Sequence, residues 1–134
     1  EAFCRQRSAP LILVVIPRSF QIYPEERREL IEALGVSEDD LDLDRPQRLL
    51  AEWASRRGAL LVDLLPAFRL RQRENPGENL FHYPDAHMNA AGHRAAATAI
   101  SGNAAAMDAI RSALAPAANA AGDAASLGRG TPLQ

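Results

Sequence analysis

Two continuous apolar runs dominate the hydrophobic pattern of this sequence, and prolines flank or close both. The first is Leu11 to Ile16, within PLILVVIP, and the second is Ala59 to Pro66, ALLVDLLP. Runs of Leu, Val and Ile without polar alternation are typical of strands that a parallel sheet covers on both faces. We therefore predict two strands buried on both faces. Pro17 and Pro66 should end them, because proline cannot donate to a strand ladder.

Two amphipathic helices are predicted between these strands. YPEERRELIEALGV has a proline and two acids suited to a first turn, then an apolar face, and Gly35 as its end. In RPQRLLAEWASRRG, Leu49, Leu50 and Trp53 form the apolar face and Gly58 ends the helix. The acidic SEDDLDLD between them is expected to be a surface loop. Strand, helices and strand make a βαβ-like unit, which favours the α/β class.

The chain after the second strand is predicted to contain a long polar loop and then Ala-rich helices. RLRQRENPGENLFHYPD is expected to be a loop with a Pro-Gly turn. Asn89 is expected to cap a helix that runs to about Ile100, and NAAAMDAIRSALAP to form another. From Pro116 onwards we expect a disordered tail. We therefore assign residues 1–101 to the α/β part and residues 102–134 to an Ala-rich helix and tail.

Two strands do not make a stable parallel sheet. Strands that are apolar on both faces need neighbouring strands and covering helices. The C-terminal segment is rich in Ala, Gly and Ser and offers no further strand. We expect this chain either to be part of a larger α/β domain or to receive strands from a partner.

Composition excludes several classes of partner and site. The formal net charge of −2 gives no reason to expect nucleic acid or an anionic membrane as a partner. The single cysteine, Cys4, excludes an intrachain disulfide and a cysteine-based zinc site. No apolar run is long enough to span a bilayer. None of these features indicates a compartment.

The stretch YPDAHMNAAGH, residues 83–93, concentrates the candidate chemistry. Asp85 stands two residues before His87. If the backbone turns between them, the carboxylate can accept the Nδ1–H of the imidazole, which leaves Nε2 as a general base. A helix that starts at Asn89 would hold this loop on a rigid element. The simpler alternative is a loop and a helix cap without chemistry.

A metal site is a second alternative for the same stretch. Asp85, His87 and His93, with His82 as a further candidate, are ligand types that form open zinc sites. The two histidines at 87 and 93 are six residues apart, however, so they do not share a helix face if Asn89 caps the helix. This spacing favours the acid–base interpretation over the metal one.

The remaining polar candidates have simpler structural interpretations. His82 is expected to be an exposed loop residue, and His93 a partly buried, hydrogen-bonded residue of the helix. Asp63, near the end of an apolar strand, is expected to accept backbone N–H groups of a nearby loop. Ser19 follows the first strand but lies in no Gly-x-Ser-x-Gly elbow, so nothing in the sequence supports it as a nucleophile.

Taken together, these segments resemble the C-terminal half of SGNH/GDSL hydrolases. LFHYPDAHMNAAGHRAAATAI after GALLVDLLPAF is similar to that family's Asp-x-His loop, the helix start after it and the strand before it. APLILVVIPRSFQIYP is similar to the preceding strand and its proline. The resemblance covers roughly Ala9 to Ile100.

The resemblance implies a fold and a reaction. The fold is a flavodoxin-like α/β/α sandwich with about five parallel strands, of which this chain would hold the C-terminal strands and helices. The reaction is hydrolysis of acyl esters, or in some branches acyl transfer to sugar hydroxyls. His87 would act as general base and then general acid, and Asp85 would orient it. The partner would be a small-molecule or glycan ester, and no metal or organic cofactor is implied.

The sequence departs from the family pattern where the nucleophile should be. It has no Gly-Asp-Ser motif, and no Gly-x-Asn block precedes the strand at Leu11 to Ile16. The family's catalytic roles are therefore assigned to Asp85 and His87 alone. We expect this chain to be the C-terminal part of a longer serine esterase, with little activity alone. An O-acetyltransferase of a cell-surface polysaccharide and a non-catalytic binding module on a degenerate SGNH fold are the alternatives.

Overall fold

The protein has a mixed α/β fold that is mostly helical. The computed structural model describes residues 2–85 and 87–115. In chain order the elements are α1 (Ala2–Gln6), β1 (Ile12–Val15), a 3-10 turn (Ser19–Gln21), α2 (Pro24–Leu34), a 3-10 turn (Glu38–Asp40), α3 (Arg45–Arg57), β2 (Leu60–Asp63), α4 (Leu65–Glu74), α5 (Ala90–Ser101) and α6 (Ala104–Leu114). The tail predicted from Pro116 lies outside the described residues.

The two predicted strands form a small parallel sheet. Ile12 lies opposite Leu60, and the register runs in step along the four residues of each strand. Backbone bonds extend the pairing at both ends, because Leu60 N–H donates to Leu11 C=O (2.9 Å) and Leu64 N–H to Val15 C=O (3.0 Å). In the described part of the chain the sheet holds these two strands alone. This confirms an α/β fold with a parallel sheet, and the larger flavodoxin-like sandwich stays a prediction.

The predicted burial of the first strand on both faces is wrong. Val14 is 38% exposed and Ile16 is 51% exposed. Val62 and Leu64, by contrast, are buried, and β2 contacts both α3 and α6. The apolar run therefore marks a strand correctly, but Val14 in β1 and Ile16 just after it remain partly exposed in the described part of the chain.

The end of the second strand was also predicted wrongly, and so was the first part of the polar loop after it, whereas the turn predicted at Pro76-Gly77 is confirmed. β2 ends at Asp63, and Pro66 lies in the first turn of α4, where its missing N–H costs no bond. Leu65 and Phe68 are buried on one face of this helix. Two arginines of this helix pair with acids outside it, Arg69 with Asp44 and Arg71 with Glu78. The dense charge that suggested a loop therefore includes ion pairs of α4.

The other helix boundaries follow the sequence signals. Gly35 and Gly58 end α2 and α3 in the left-handed conformation, each with φ of 64°, which glycine adopts without a Cβ penalty. Asn89 and Asn103 cap α5 and α6 through their side-chain oxygens. None of the helices in the described residues is long and apolar enough to cross a bilayer.

The core lies beyond the carboxyl end of β2. Leu64, Phe68 and Leu80 are fully buried there. The ring of Phe81 meets Tyr23 edge-on, with centroids 6.2 Å apart, and lies 5.8 Å from the ring of Phe68. Ala106 on α6 joins the same cluster. The segment that leads into the Asp-x-His loop is thus part of the core.

Candidate functional site

The Asp-x-His loop is closed at its base like a short hairpin. Phe81 and Met88 form an isolated antiparallel bridge. His82 N–H donates to His87 C=O (2.8 Å), and Asn89 N–H donates to Leu80 C=O (3.0 Å). These bonds hold the residues between them at the end of a two-stranded stem, although the stem is too short to count as a sheet.

Asn89 ties the loop to the helix that follows. Its Oδ1 accepts from the N–H groups of Ala91 (2.9 Å) and Gly92 (3.0 Å), which caps α5. Its Nδ2 donates to the backbone C=O of Asn79 (2.7 Å), on the other arm of the stem. One side chain therefore fixes the start of α5 and the entry of the loop together.

Gly92 allows α5 to lie directly against the stem. A Cβ atom at this position would overlap the carbonyl oxygen of Leu80. Gly92 is buried, and its φ is not in the left-handed region, so space rather than backbone freedom requires glycine here. The two backbones therefore approach closely, and the start of α5 lies against Leu80 at the base of the stem.

At the tip of the loop, Asp85 and His87 are brought together. Asp85 Oδ1 accepts from His87 N–H at 2.9 Å, and the same oxygen lies 3.5 Å from His87 Nδ1. An Asp that bonds a backbone N–H two residues on forms a local turn, and this turn points the carboxylate at the imidazole. The structure therefore brings the acid and the histidine together, whereas the predicted hydrogen bond from Nδ1–H stays a prediction at this distance.

The electrostatics of the pair follow from these contacts. The backbone N–H of His87 holds the pKa of the Asp85 carboxyl below its ordinary value, and the positive charge that His87 carries when protonated lowers it further. Asp85 is thus a carboxylate at neutral pH. The Nδ1 distance of 3.5 Å exceeds that of a normal N–H···O bond, and catalytic hydrogen bonds often tighten only when substrate is bound.

Both side chains are open to solvent. The His87 side chain is 83% exposed and that of Asp85 is 59% exposed. An acid–base pair works best in a site that excludes water, because charges interact more strongly there. The described residues do not place the pair in a site of that kind.

The structure does not assemble the alternative metal site. Within residues 2–85 and 87–115, no three His, Cys, Asp or Glu side chains converge as metal ligands. His82 is exposed, as expected. His93 was expected to be partly buried, and this is wrong, since it lies on the exposed side of α5.

Asp63 and Ser19 have structural surroundings. Asp63 Oδ1 accepts from Leu65 N–H (3.0 Å) at the start of α4, which confirms a structural role for its carboxylate. Ser19 is buried in its 3-10 turn, and its backbone C=O accepts the N–H groups of Ile22 and Tyr23, both at 2.8 Å. Nothing in these contacts favours Ser19 as a nucleophile.

Two tyrosines that sequence reasoning missed attach the loop to the rest of the fold. Leu80 N–H donates to the buried hydroxyl of Tyr23 (2.7 Å), across 57 positions of sequence. Tyr83 donates its hydroxyl to Glu29 of α2 (3.2 Å). Burial raises the pKa of Tyr23. No local sequence signal indicates either contact, because both partners are distant along the chain.

Comparison with protein-family models, with curated proteins and with solved structures finds no match to this chain.

Proposed function

We propose that this chain supplies the Asp–His part of a serine ester hydrolase of the SGNH type, built on a flavodoxin-like α/β/α sandwich. The observation that carries the proposal is the contact of Asp85 Oδ1 with both the backbone N–H and the Nδ1 of His87. The stem, the Asn89 cap and the close fit of Gly92 on Leu80 support it further. They hold the pair at a defined place on a rigid element, as a catalytic group requires.

Each residue has a defined role in the proposed reaction. His87 Nε2 takes the proton from a serine hydroxyl as its oxygen attacks the ester carbonyl, and then gives that proton to the departing alcohol. In the second step a water molecule attacks the acyl-serine. His87 takes a proton from this water and gives it to the serine oxygen as the acyl group leaves. Asp85 fixes the imidazole through Nδ1 and stabilises the imidazolium that forms. The nucleophilic serine and the oxyanion donors are not among the residues that carry the resemblance. In this proposal a further segment supplies them.

The exposure of His87 fits a site in which one segment carries Asp85 and His87 and another segment carries the serine. An imidazole that is 83% exposed has room for a second segment to cover it. The segment that carries the serine would provide this cover and exclude water from the site.

The experiment is hydrolysis of 4-nitrophenyl acetate by the full-length gene product. His87→Ala should lower kcat/KM by about a thousandfold or more, as loss of a triad base does. Asp85→Asn should lower it substantially as well, because the tautomer of His87 is no longer fixed. His82→Ala is the matched control, since it removes an exposed imidazole from the same loop and should leave turnover unchanged.

Near-normal turnover in His87→Ala, with an unchanged circular dichroism spectrum, would exclude the proposed role. Equal losses in His87→Ala and His82→Ala would also count against it, because they would show a general dependence on the loop rather than on one base.

Acyl transfer to a sugar hydroxyl is compatible with the same pair. In that reaction the His87 base activates the acceptor hydroxyl instead of water. Adding a polysaccharide to the ester assay distinguishes the two reactions. A transferase forms acylated glycan at the expense of free acid, whereas a hydrolase releases free acid at an unchanged rate.

A binding module without catalysis is favoured by one observation, the solvent exposure of both Asp85 and His87. It predicts no ester turnover in the full-length gene product and no serine in a Gly-Asp-Ser motif of that product.

A further inference from the structure

A cavity separate from the His87 loop lies at the carboxyl end of β1. It is open to solvent on one side, has a volume of about 410 Å³, and is lined by residues of β1, the following 3-10 turn, α2, the segment before α3, and α3. This is within the size range of small-molecule sites. None of the described residues that line it belongs to the Asp-x-His loop.

The walls of this cavity are mainly apolar. They include the side chains of Ile16, Phe20, Leu30, Leu41, Leu43 and Leu50. Asp42 also lines the cavity, but its carboxylate is paired on both oxygens with the Arg48 guanidinium, which holds the pKa of Asp42 below its usual range. The cavity therefore suits an alkyl chain and presents no unpaired carboxylate.

Two hydrogen-bond donors at the cavity have no partner. Among the described residues, nothing accepts from the guanidinium of Arg18 or from the Nε2 of Gln47. Gln47 is 7% exposed as a residue, but its Nε2 is not sealed inside the protein, because the one buried side-chain atom without a partner among the described residues is Gln72 Oε1. The Nε2 of Gln47 is therefore an accessible donor at the cavity, and Arg18 is an exposed cation that lines the same cavity.

Gln21 contacts the same two residues through other atoms. Its Oε1 accepts from the backbone N–H of Arg18 (2.8 Å), and its Nε2 donates to Gln47 Oε1 (3.1 Å) and to Leu43 C=O (2.5 Å). Because the Gln47 oxygen is occupied, its Nε2 is the group left for a ligand. Gln21 therefore fixes the backbone of Arg18 and the side-chain oxygen of Gln47, and both residues line the same cavity.

We propose that this cavity binds a medium-chain fatty acid as its carboxylate. The alkyl chain lies against the leucine side chains, and the carboxylate accepts from the Arg18 guanidinium and from Gln47 Nε2. An anion with an apolar chain satisfies both unpartnered donors and the apolar walls at once. This inference goes beyond ester hydrolysis and needs no turnover at His87.

The test is calorimetric titration of the full chain with decanoate, kept below its aggregation concentration. We expect saturable 1:1 binding. Hexanoate should bind much more weakly, since each buried methylene contributes up to about fourfold in affinity. Decan-1-ol should bind more weakly than decanoate, because it carries no charge for Arg18.

Two variants and a matched control locate the site. Arg18→Gln should weaken decanoate binding by about tenfold or more, the effect of losing a charge-assisted hydrogen bond, and should leave decan-1-ol binding nearly unchanged. Arg73→Gln removes an exposed arginine on α4 and should change neither. Leu50→Trp should fill the cavity and abolish binding of both probes.

Absence of saturable decanoate binding would overturn the proposal and would point to another segment of protein as the occupant. Equal binding by the original chain and Arg18→Gln would also overturn it, since the cavity would then be an apolar surface without selectivity for a carboxylate. If Leu50→Trp fails to fold by circular dichroism, the Arg18→Gln comparison decides alone. Either negative result leaves the assay of His87 unaffected.

Discussion

The backbone carbonyl of Leu80 lies where a side chain at position 92 would have to go, so that only glycine fits there. The same oxygen accepts the N–H of Asn89. The carbonyl group of Leu80 thus accepts a hydrogen bond from the end of the loop and also lies against the first turn of α5. These two contacts explain how a stem of a few residues fixes the orientation of the loop base relative to α5.

Gly92→Ala should lower the free energy of unfolding by about 1–3 kcal/mol, the usual effect of overpacking. This is opposite in sign to the gain of about 1 kcal/mol that alanine gives over glycine inside a helix. Urea denaturation measures the change. Gly77→Ala is the control, because a Cβ there meets no atom within 4 Å. A more stable Gly92→Ala variant would mean that α5 does not lie against the Leu80 backbone.

Tyr23→Phe should destabilise the protein by about 1–3 kcal/mol, because it leaves the buried Leu80 N–H without an acceptor. Tyr83→Phe is the matched change, since it removes a hydroxyl that bonds Glu29 at the surface. That variant should stay within about 0.5 kcal/mol of the original chain. Equal effects of the two changes in urea denaturation would contradict the buried bond.

The carboxyl of Asp85 should titrate with a pKa below that of an ordinary aspartate. Because its folded pKa is lowered, the stabilisation of the turn is present at neutral pH and is lost as the pH falls through that lowered value. Carboxyl-carbon NMR of the full chain measures the titration.

The variant His87→Ala separates the two causes of this shift. It keeps the backbone N–H, the larger cause, and removes the imidazole. Most of the lowering of the Asp85 pKa should therefore survive in this variant. Full return to an ordinary value would show that the imidazole dominates instead, and an ordinary value in the original chain would contradict the turn itself.

Local patterns in the sequence predicted the ends of α2 and α3, the start of α5 and the location of both strands, although not the end of the second strand. Gly35, Gly58 and Asn89 act through their own conformation or through residues two or three positions away, so short-range signals suffice for them. The helical state of α4 was missed because its stabilising contacts are distant. Arg69 forms two hydrogen bonds to Asp44, at 3.2 and 2.8 Å, and these residues are 25 positions apart.

In the candidate site, too, the local contacts could be predicted from the sequence and the long-range contacts could not. The contact of Asp85 with His87 arises from two-residue spacing and could be predicted. The anchoring of the loop by Tyr23 could not, because it joins residues 57 positions apart. The exposure of Val14 and Ile16 could not be predicted either. An apolar run indicates which side chains a strand can bury, but it does not indicate which elements pack over them.

The core that holds the domain together also forms the base of the loop. Leu80 and Phe81 are buried in the main cluster and are the first residues of the stem. Local opening at this point would bring both side chains into water, and such openings cost nearly as much as global unfolding. We therefore expect the base of the stem to open together with the core, whereas the exposed imidazole of His87 lies beyond it, at the tip of the loop.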